Sequence, residues 1–550
     1  MIKASVLTAA VLALPFAASA AEVCGRVELA GRPLPEGFVS LAGKSVRGPF
    51  RVRDGAFCAA GVEPGSYRVT VSPLNFPEPL EIARKGEAPS AGGARLDVDA
   101  AGRAAPLELE AATPASPAGA TVSGEIRFPA GAEPNLDASP ALVVAYFRTG
   151  APGGGYAFGW LTGKAEGGAK AFELRAAGGE LSRLGLWSRD WAATADSWSF
   201  EDAGRTRARA KITAAAGVPV RGTLRFADGR PYRAPGRAFA AAFVGQSGQW
   251  GRSALADEDG RFETSVAPGR YEVDVLGRSD ERATGRPSFF ALVSSAGATV
   301  EPVLRDADAG LRVDSAALEG HFGTADSDFV VGRPAGSTRE LAPCSLEGNE
   351  VFMTRSPDDR WVNALPASWD ADPQTAWVPA GVYDFYAVRI KESPWPSLRV
   401  IASARNVTLK KGKVAAVSLP GPAYPGGGAI LSGRFPPAAP DAAGVAAART
   451  WFDLCPRAFP SVELYDAEGR LAAVFAAGTS EGDGRAFKDA VWKADAAGMA
   501  ALMSKPRAYK IGGLAPGTYR ARARPVGGPA WEKTVVLTQD AETALDVEAR

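Results

Sequence analysis

The sequence predicts an all-β protein of antiparallel β-sandwiches in tandem, and three observations predict it. A Pro-Gly pair directly ahead of an alternating run recurs, as VEPGSYRVTV at 62–71, VAPGRYEVDV at 266–275 and LAPGTYRARA at 514–523, with VPAGVYDFYA at 378–387 as a looser copy. Gly-led strands recur upstream of these turns, and polar turns between two short strands recur downstream. Helical spacing is confined to two Ala-rich stretches, 441–452 and 492–504, which read as insertions on the last module.

The first element is a targeting segment. MIKASVLTAAVLALPFAASAAE carries Lys3, is apolar from Val6 to Phe16 and reaches Ala18-Ser19-Ala20, the pattern of a secretory signal peptide over 1–20. The apolar stretch is shorter than the roughly 20 residues that span a bilayer. Val23 stands where a lipobox needs a small residue, so lipidation of Cys24 is not expected. No later segment is long and apolar enough to cross a membrane, and an exported bacterial protein, periplasmic or at the cell surface, is expected.

The repeated element comes next. Pro presets a turn-like backbone angle and Gly accepts a positive φ without steric cost, so the pair is expected to reverse the chain tightly. Beyond it Tyr271, Val273 and Val275 alternate with Glu272 and Asp274, which places the first set inside and the second in water. Opening strands read as CGRVELAGRPLP at 24–35, VSGEIRFPAGAEP at 122–134, VRGTLRFADGRPY at 220–232 and LSGRFPPAAP at 431–440. Closing turns read at 292–304, 406–419 and 535–547. FELRAAGGELSRLGLW at 172–187 aligns with FETSVAPGRYEVDVLG at 262–277, Gly-Gly standing for Pro-Gly.

Five modules follow: 21–112, 118–215 (degenerate), 216–304, 305–421 (irregular and Trp-rich) and 426–550 with its helical insertions. Each is near the length of about 100 residues typical of an immunoglobulin-like sandwich. The joints EAATPASPAGA at 110–120 and PGPAYPGGGA at 420–429 are semi-flexible in composition, and the array is expected to bend there.

The pattern resembles the carboxypeptidase regulatory-like domains, part of the transthyretin-like (prealbumin-like) group of sandwiches. The residues that carry the resemblance are Gly25, Gly124 and Gly222, the pairs Pro64-Gly65, Pro268-Gly269 and Pro516-Gly517, and the following Tyr67, Tyr271 and Tyr519. The match is good in the first, third and fifth modules, moderate in the second and poor in the fourth. What the resemblance implies is an antiparallel sandwich of about seven strands, used as a spacer, adhesion or binding module on exported bacterial proteins. It specifies a fold, not an activity.

Composition and motifs narrow the chemistry. With 62 basic and 61 acidic residues, no general attraction to nucleic acid or an anionic membrane is expected. The one histidine, His321, is too few for a His-based zinc site, so the catalytic domain of a zinc peptidase is absent. No Gly-x-Ser-x-Gly elbow surrounds a serine, and no acid pair is singled out for glycoside hydrolysis. Catalysis and cofactors are not expected. Calcium is the one ion the sequence suggests, through the acids of RDADAGLRVD at 305–314 and Asp326-Ser327-Asp328. Ala317 stands where an EF-hand loop needs its bidentate Glu, and solvated linker acids are the expected account.

All four cysteines lie beyond the signal segment, which fits an oxidising compartment. Cys24 and Cys58 are placed to bridge within the first module, while Cys344 and Cys455 either pair across neighbouring modules or remain free thiols. Aromatic rings are the other candidates for function. Trp377, ahead of a Pro-Ala-Gly turn, is expected in a core, whereas Trp361 and Trp369 fall in the polar, Pro-broken SPDDRWVNALPASWDADPQ. Trp361, Trp369, Trp187 and Trp191 are the candidate ligand-facing rings. The function expected is a non-catalytic structural, adhesion or binding array with a protein or glycan partner. The alternative is a carbohydrate-binding protein using exposed tryptophans of the second and fourth modules.

Overall fold

The structure, a computed structural model, describes residues 21–43, 46–74, 80, 82–87, 94–101, 103–111, 119–148, 155–230, 232, 240–244, 252–276, 283–284, 288–314, 328–337, 339, 341, 346, 349–355, 361–363, 374–391, 397–419, 428–436, 442–476, 490, 495–504, 507–526 and 528–547. The expected signal segment, His321, Cys344 and Trp369 lie outside them. Strands dominate, as the sequence predicts. The α-helices described in full are short: Ala442–Ala447, Trp451–Ala458 and Ala496–Met503. The chain divides into two compact bodies, one ending near Ala112 and one running from Thr113 to Arg550.

One pairing scheme is used five times. The opening strands are Ala21–Leu29, Ala120–Arg127, Val218–Thr223, Ala309–Asp314 and Ala429–Phe435. Each pairs antiparallel with the strand that precedes the turn: Ala56–Val62, Ala169–Ala176, Arg261–Val266, Ala376–Val378 and Arg507–Leu514. On its other side each pairs with a strand late in the copy, and that pairing is parallel. The sandwiches are therefore mixed, with a parallel pairing beside the opening strand in an otherwise antiparallel arrangement; in the third copy it continues as Arg225–Phe226 against Val303–Asp306.

The register explains the opening glycines. Gly25, Gly124, Gly222, Gly310 and Gly433 stand directly opposite Phe57, Phe172, Phe262, Trp377 and Tyr509. A Cβ at Gly222 would strike the Phe262 ring on one side and the Val300 carbonyl on the other, and the same two-sided collision recurs at Gly25, Gly124 and Gly433. Only glycine lets the aromatic ring lie across the opening strand. After Gly310 the hydrophobic residues fall one and three positions on, Leu311 and Val313, instead of two and four as after Gly25, Gly124 and Gly222, so sequence reasoning missed the fourth opening strand. Trp377 is its aromatic partner, but the ring is half-buried and alternates with the core residues Ala376 and Val378, so it faces away from the core in which the sequence places it.

The turn differs from expectation in an instructive way. Strands on either side of it do not pair with each other: in the third copy Arg261–Val266 lies in a three-stranded sheet and Gly269–Leu276 in a four-stranded one, and in the first copy Ala56–Val62 and Gly65–Pro73 are separated by two strands of one sheet. The Pro-Gly pair is thus a corner rather than a hairpin. Between the two sheets of the third copy Val220, Leu224, Phe243, Phe262, Val273 and Val293 form its core.

The corner is clasped by its tyrosine. Tyr67, Tyr271, Tyr383 and Tyr519 donate their hydroxyls to the carbonyls of Glu63, Ala267, Pro379 and Ala515, at 2.9, 2.7, 2.8 and 3.0 Å, always four residues back. This is the geometry of a tyrosine corner. The turn glycine makes room for it: the nearest atoms to a Cβ on Gly65, Gly269, Gly381 or Gly517 belong to that same tyrosine ring. In the second copy Leu181 holds the equivalent position, is buried, and has no hydroxyl to donate.

The fourth and fifth copies share a sheet. Nine strands run in the order Trp361–Asn363, Val351–Arg355, Asp328–Pro334, Gly381–Lys391, Ser397–Leu409, Leu471–Ala476, Ser461–Tyr465, Gly517–Arg524 and Trp531–Leu537. The seam is antiparallel pairing of Ser397, Leu398 and Arg399 with Phe475, Val474 and Ala473. Arg399 adds a hydrogen bond to the Gly513 carbonyl. The bend expected at 420–429 is therefore bridged by backbone pairing. Most of that joint, like the joint at 110–120, lies outside the described residues.

Candidate functional site

The tryptophans of the second copy are packed rather than presented. Trp191 meets Phe128 edge to face at 4.9 Å, and with Trp198 it packs against the core that holds Val122, Ile126 and Leu174. The Trp191 carbonyl accepts a 3.5 Å hydrogen bond from Arg252 of the third copy. Trp187 is half-buried on the other side of its strand, opposite Leu142. Trp361 begins a short strand, Trp361–Asn363, and nothing is described of its ring.

Sequence reasoning missed an aromatic row beside Trp187. Strands Gly155–Leu161 and Ala141–Arg148 pair Trp160 with Leu142, Phe158 with Val144 and Tyr156 with Tyr146, and the two tyrosine rings lie 5.1 Å apart. These positions point away from the core, yet Leu142 and Val144 are fully buried and Phe158 nearly so. Tyr146, Tyr156, Phe158, Trp160 and Trp187 each have a further partner, so the row is a packed face and not an open stacking platform. The signal was the alternation of aromatics in GYAFGWL, which puts Tyr156, Phe158 and Trp160 on one side.

Of the acids suggested for calcium, Asp306, Asp308 and Asp328 are engaged by cations of the chain, and Asp326 lies outside the described residues. Asp306 pairs with Arg230 at 3.1 Å, and Asp308 takes Lys411 at 3.0 Å and the Ala380 amide at 3.0 Å. Asp328, fully buried, holds Arg389 at 2.8 Å. Among the described residues the one cluster of three potential metal ligands is Glu22, Cys24 and Cys58. Its two sulfurs form the Cys24–Cys58 disulfide, which removes them as thiolate ligands. That disulfide joins directly paired residues of neighbouring strands and lies on the exposed side of the sheet. Cys455 is also disulfide-bonded.

Buried ionisable groups serve the scaffold. Glu350 accepts Arg339 at 3.2 Å and Arg305 at 3.6 Å, and Glu463 accepts Tyr465 at 2.9 Å beside Arg522 at 3.7 Å. Burial pushes the Tyr271 and Tyr383 hydroxyls from 10.0 up to about 12, so both clasps stay protonated near neutrality. Exposed faces mix their charges: Arg207, Arg209 and Lys211 line one side of a strand, Glu125 and Glu173 stand on the strands beside it, and Glu201 lies just past the end of another. No helix among the described residues is long and apolar enough to cross a membrane.

No family model matches the chain, and no curated protein matches it. Among solved structures it is similar to the TIE protein of Bacillus anthracis at 9% identity and a TM-score of 0.15, covering 74% of this chain and 68% of that one. It is similar to the pilus adhesin SpaC of Lactobacillus rhamnosus GG at 10% identity and a TM-score of 0.14, covering 72% of this chain and 56% of that one. A streptococcal ancillary pilin matches at 12% identity and a TM-score of 0.16, covering 55% of this chain and 99% of that one. TM-scores this low carry no argument, and the fold rests on the strand pairing described above.

Proposed function

We propose that the chain is an exported, non-catalytic array of five sandwich modules, 21–112, 118–215, 216–304, 305–421 and 426–550, of the carboxypeptidase regulatory-like kind. It serves as a structural and adhesive element outside the cytoplasm, with proteins or glycans of the cell surface as partners. The observation that carries this reading is the Gly–aromatic pair repeated in five copies, four of them clasped by a tyrosine. A chain that spends its glycines, tyrosines and buried acids on one repeated scaffold is built for span and stability. A second disulfide, Cys344–Cys455, belongs to the reading and is supported by the bonded state of Cys455.

The test is expression of the full chain in a bacterial host with its own first segment. The mature protein is expected outside the cytoplasm, beginning near Ala21, and inert on peptide, ester and glycoside panels. Retention in the cytoplasm with an intact Met1 would refute export, and steady turnover of any panel substrate would refute the non-catalytic reading.

A further inference from the structure

The alternation of VAPGRYEVDV places Arg270 and Glu272 on the side of the strand expected to face water, yet both are buried, at 5% and 8% exposure. Glu272 accepts a hydrogen bond from Ser288 of its own copy, whereas Arg270 is covered by the helical segment of the fifth copy, some 175 residues later in the chain. Arg270 donates to the carbonyls of Val445, at 3.2 Å, and Ala448, at 2.7 Å, where helix Ala442–Ala447 ends. Its guanidinium also lies 4.4 Å over the Phe290 ring. Phe290, from the edge strand Phe289–Val293 of the third copy, donates its amide to the Arg449 carbonyl at 2.6 Å. Its ring joins Val445, Leu454, Ala458 and Met499 in one apolar cluster.

The fifth copy holds the same helices in the same manner. Buried Arg507 donates to the Ala458 carbonyl at 3.4 Å and the Leu502 carbonyl at 3.2 Å, at the ends of the other two helices. The C-terminal ends of helices Ala442–Ala447, Trp451–Ala458 and Ala496–Met503 thus each meet a buried arginine, the charge that the negative end of a helix favours. The fourth copy supplies a third hold: Arg339 lies 4.6 Å over the Phe452 ring while it pairs with Glu350.

Helices of six and eight residues do not persist unaided, since isolated helices shorter than about 12–15 residues are marginal in water. They exist because they are docked. We propose that this segment is a cross-brace: a docking element of the fifth copy that binds the outward face and edge of the third copy's sheet. Arg270 and Phe290 form the socket, and the third, fourth and fifth copies are thereby locked into one body. The lock also covers an edge strand that would otherwise offer an unpaired row to other chains. This inference stands apart from the proposed function, because it holds for an enzyme or a spacer alike.

Hydrogen exchange read by mass spectrometry on the full mature chain tests it. In the native chain, peptides covering 442–458 and 288–293 are expected to exchange as slowly as the core strand Gly269–Leu276. In Arg270→Ala both peptides are expected to speed up together by about tenfold or more, with the opening strand Val218–Thr223 unchanged. Arg270→Lys, which keeps the charge, is expected to fall between. Phe290→Ala supplies the same test if Arg270→Ala fails to fold. Native helices that exchange tenfold faster than Gly269–Leu276, or a variant in which the helices loosen and strand Phe289–Val293 does not, would overturn the brace.

Discussion

Tyr271 illustrates what a single side chain does in this chain. Its hydroxyl satisfies the Ala267 carbonyl at the corner, and its ring fills the space above Gly269. Tyr271→Phe keeps the ring and orphans the carbonyl, so a loss of about 1 kcal/mol in the third copy is expected by urea denaturation. The same change at Tyr67, Tyr383 or Tyr519 is expected to cost a similar amount, additively, because the corners share no partners. The folded value of about 12 for Tyr271 and Tyr383 lies above the ordinary 10.0. Their contribution is therefore complete below about pH 10 and lost as pH rises through about 12. Melting temperature followed over that window should fall more steeply for the native chain than for the Tyr271→Phe, Tyr383→Phe double variant. Gly222→Ala is a sharper insult, since its Cβ meets Phe262 and backbone at once. A loss of at least about 2 kcal/mol is expected, read by the same denaturation. The sequence displayed these tyrosines and glycines in register, but not their roles. A Pro-Gly pair looks alike whether it turns a hairpin or crosses between layers.

Among the elements, the first opening strand is held by a covalent tie as well as by its ladders. The Cys24–Cys58 bridge closes 34 residues. Loop closure of that size is worth about 4 kcal/mol in the unfolded chain. The Cys24→Ser, Cys58→Ser double variant should lose that much from the first compact body alone. Calorimetry resolving an unchanged second body would check the assignment. Four opening strands were legible because their glycine and the hydrophobic residues around it alternate cleanly. The fourth, Ala309–Asp314, was not, since its aromatic partner Trp377 sits only four residues before Gly381 instead of seven or eight. The stretch 441–452 was legible as helix, but it divides, because Thr450 caps a new helix through the Asp453 amide. Glu272 shows the limit of period-two reading. Alternation says that two sides of a strand differ, not that one of them meets water.

At the scale of the molecule, copies that read as separate along the chain are joined in space. Leu398, in the fourth copy, and Val474, in the fifth, pair across the seam and lie in one apolar cluster with Val331 and Leu471. A shared sheet with a shared second core should unfold in one step, so a single calorimetric transition is expected for the fourth and fifth copies together. Val474→Pro removes a ladder donor at the seam and should split that transition in two. Composition at 420–429 predicts a bend, and residues 420–427 lie outside the described residues. Composition was silent about strands pairing around that joint, because such contacts are set by residues far apart in sequence. The aromatic row of the second copy and the brace escaped notice for the same reason.

The parallel ladder in every copy has a further consequence when the ends of the chain are pulled apart. Tension enters a copy at the start of its first strand and leaves at the end of a neighbour that runs the same way. The load then acts along the strands, and the hydrogen bonds between them must slide and rupture together instead of peeling one at a time. Such a chain resists stretching far better than its thermal stability alone suggests.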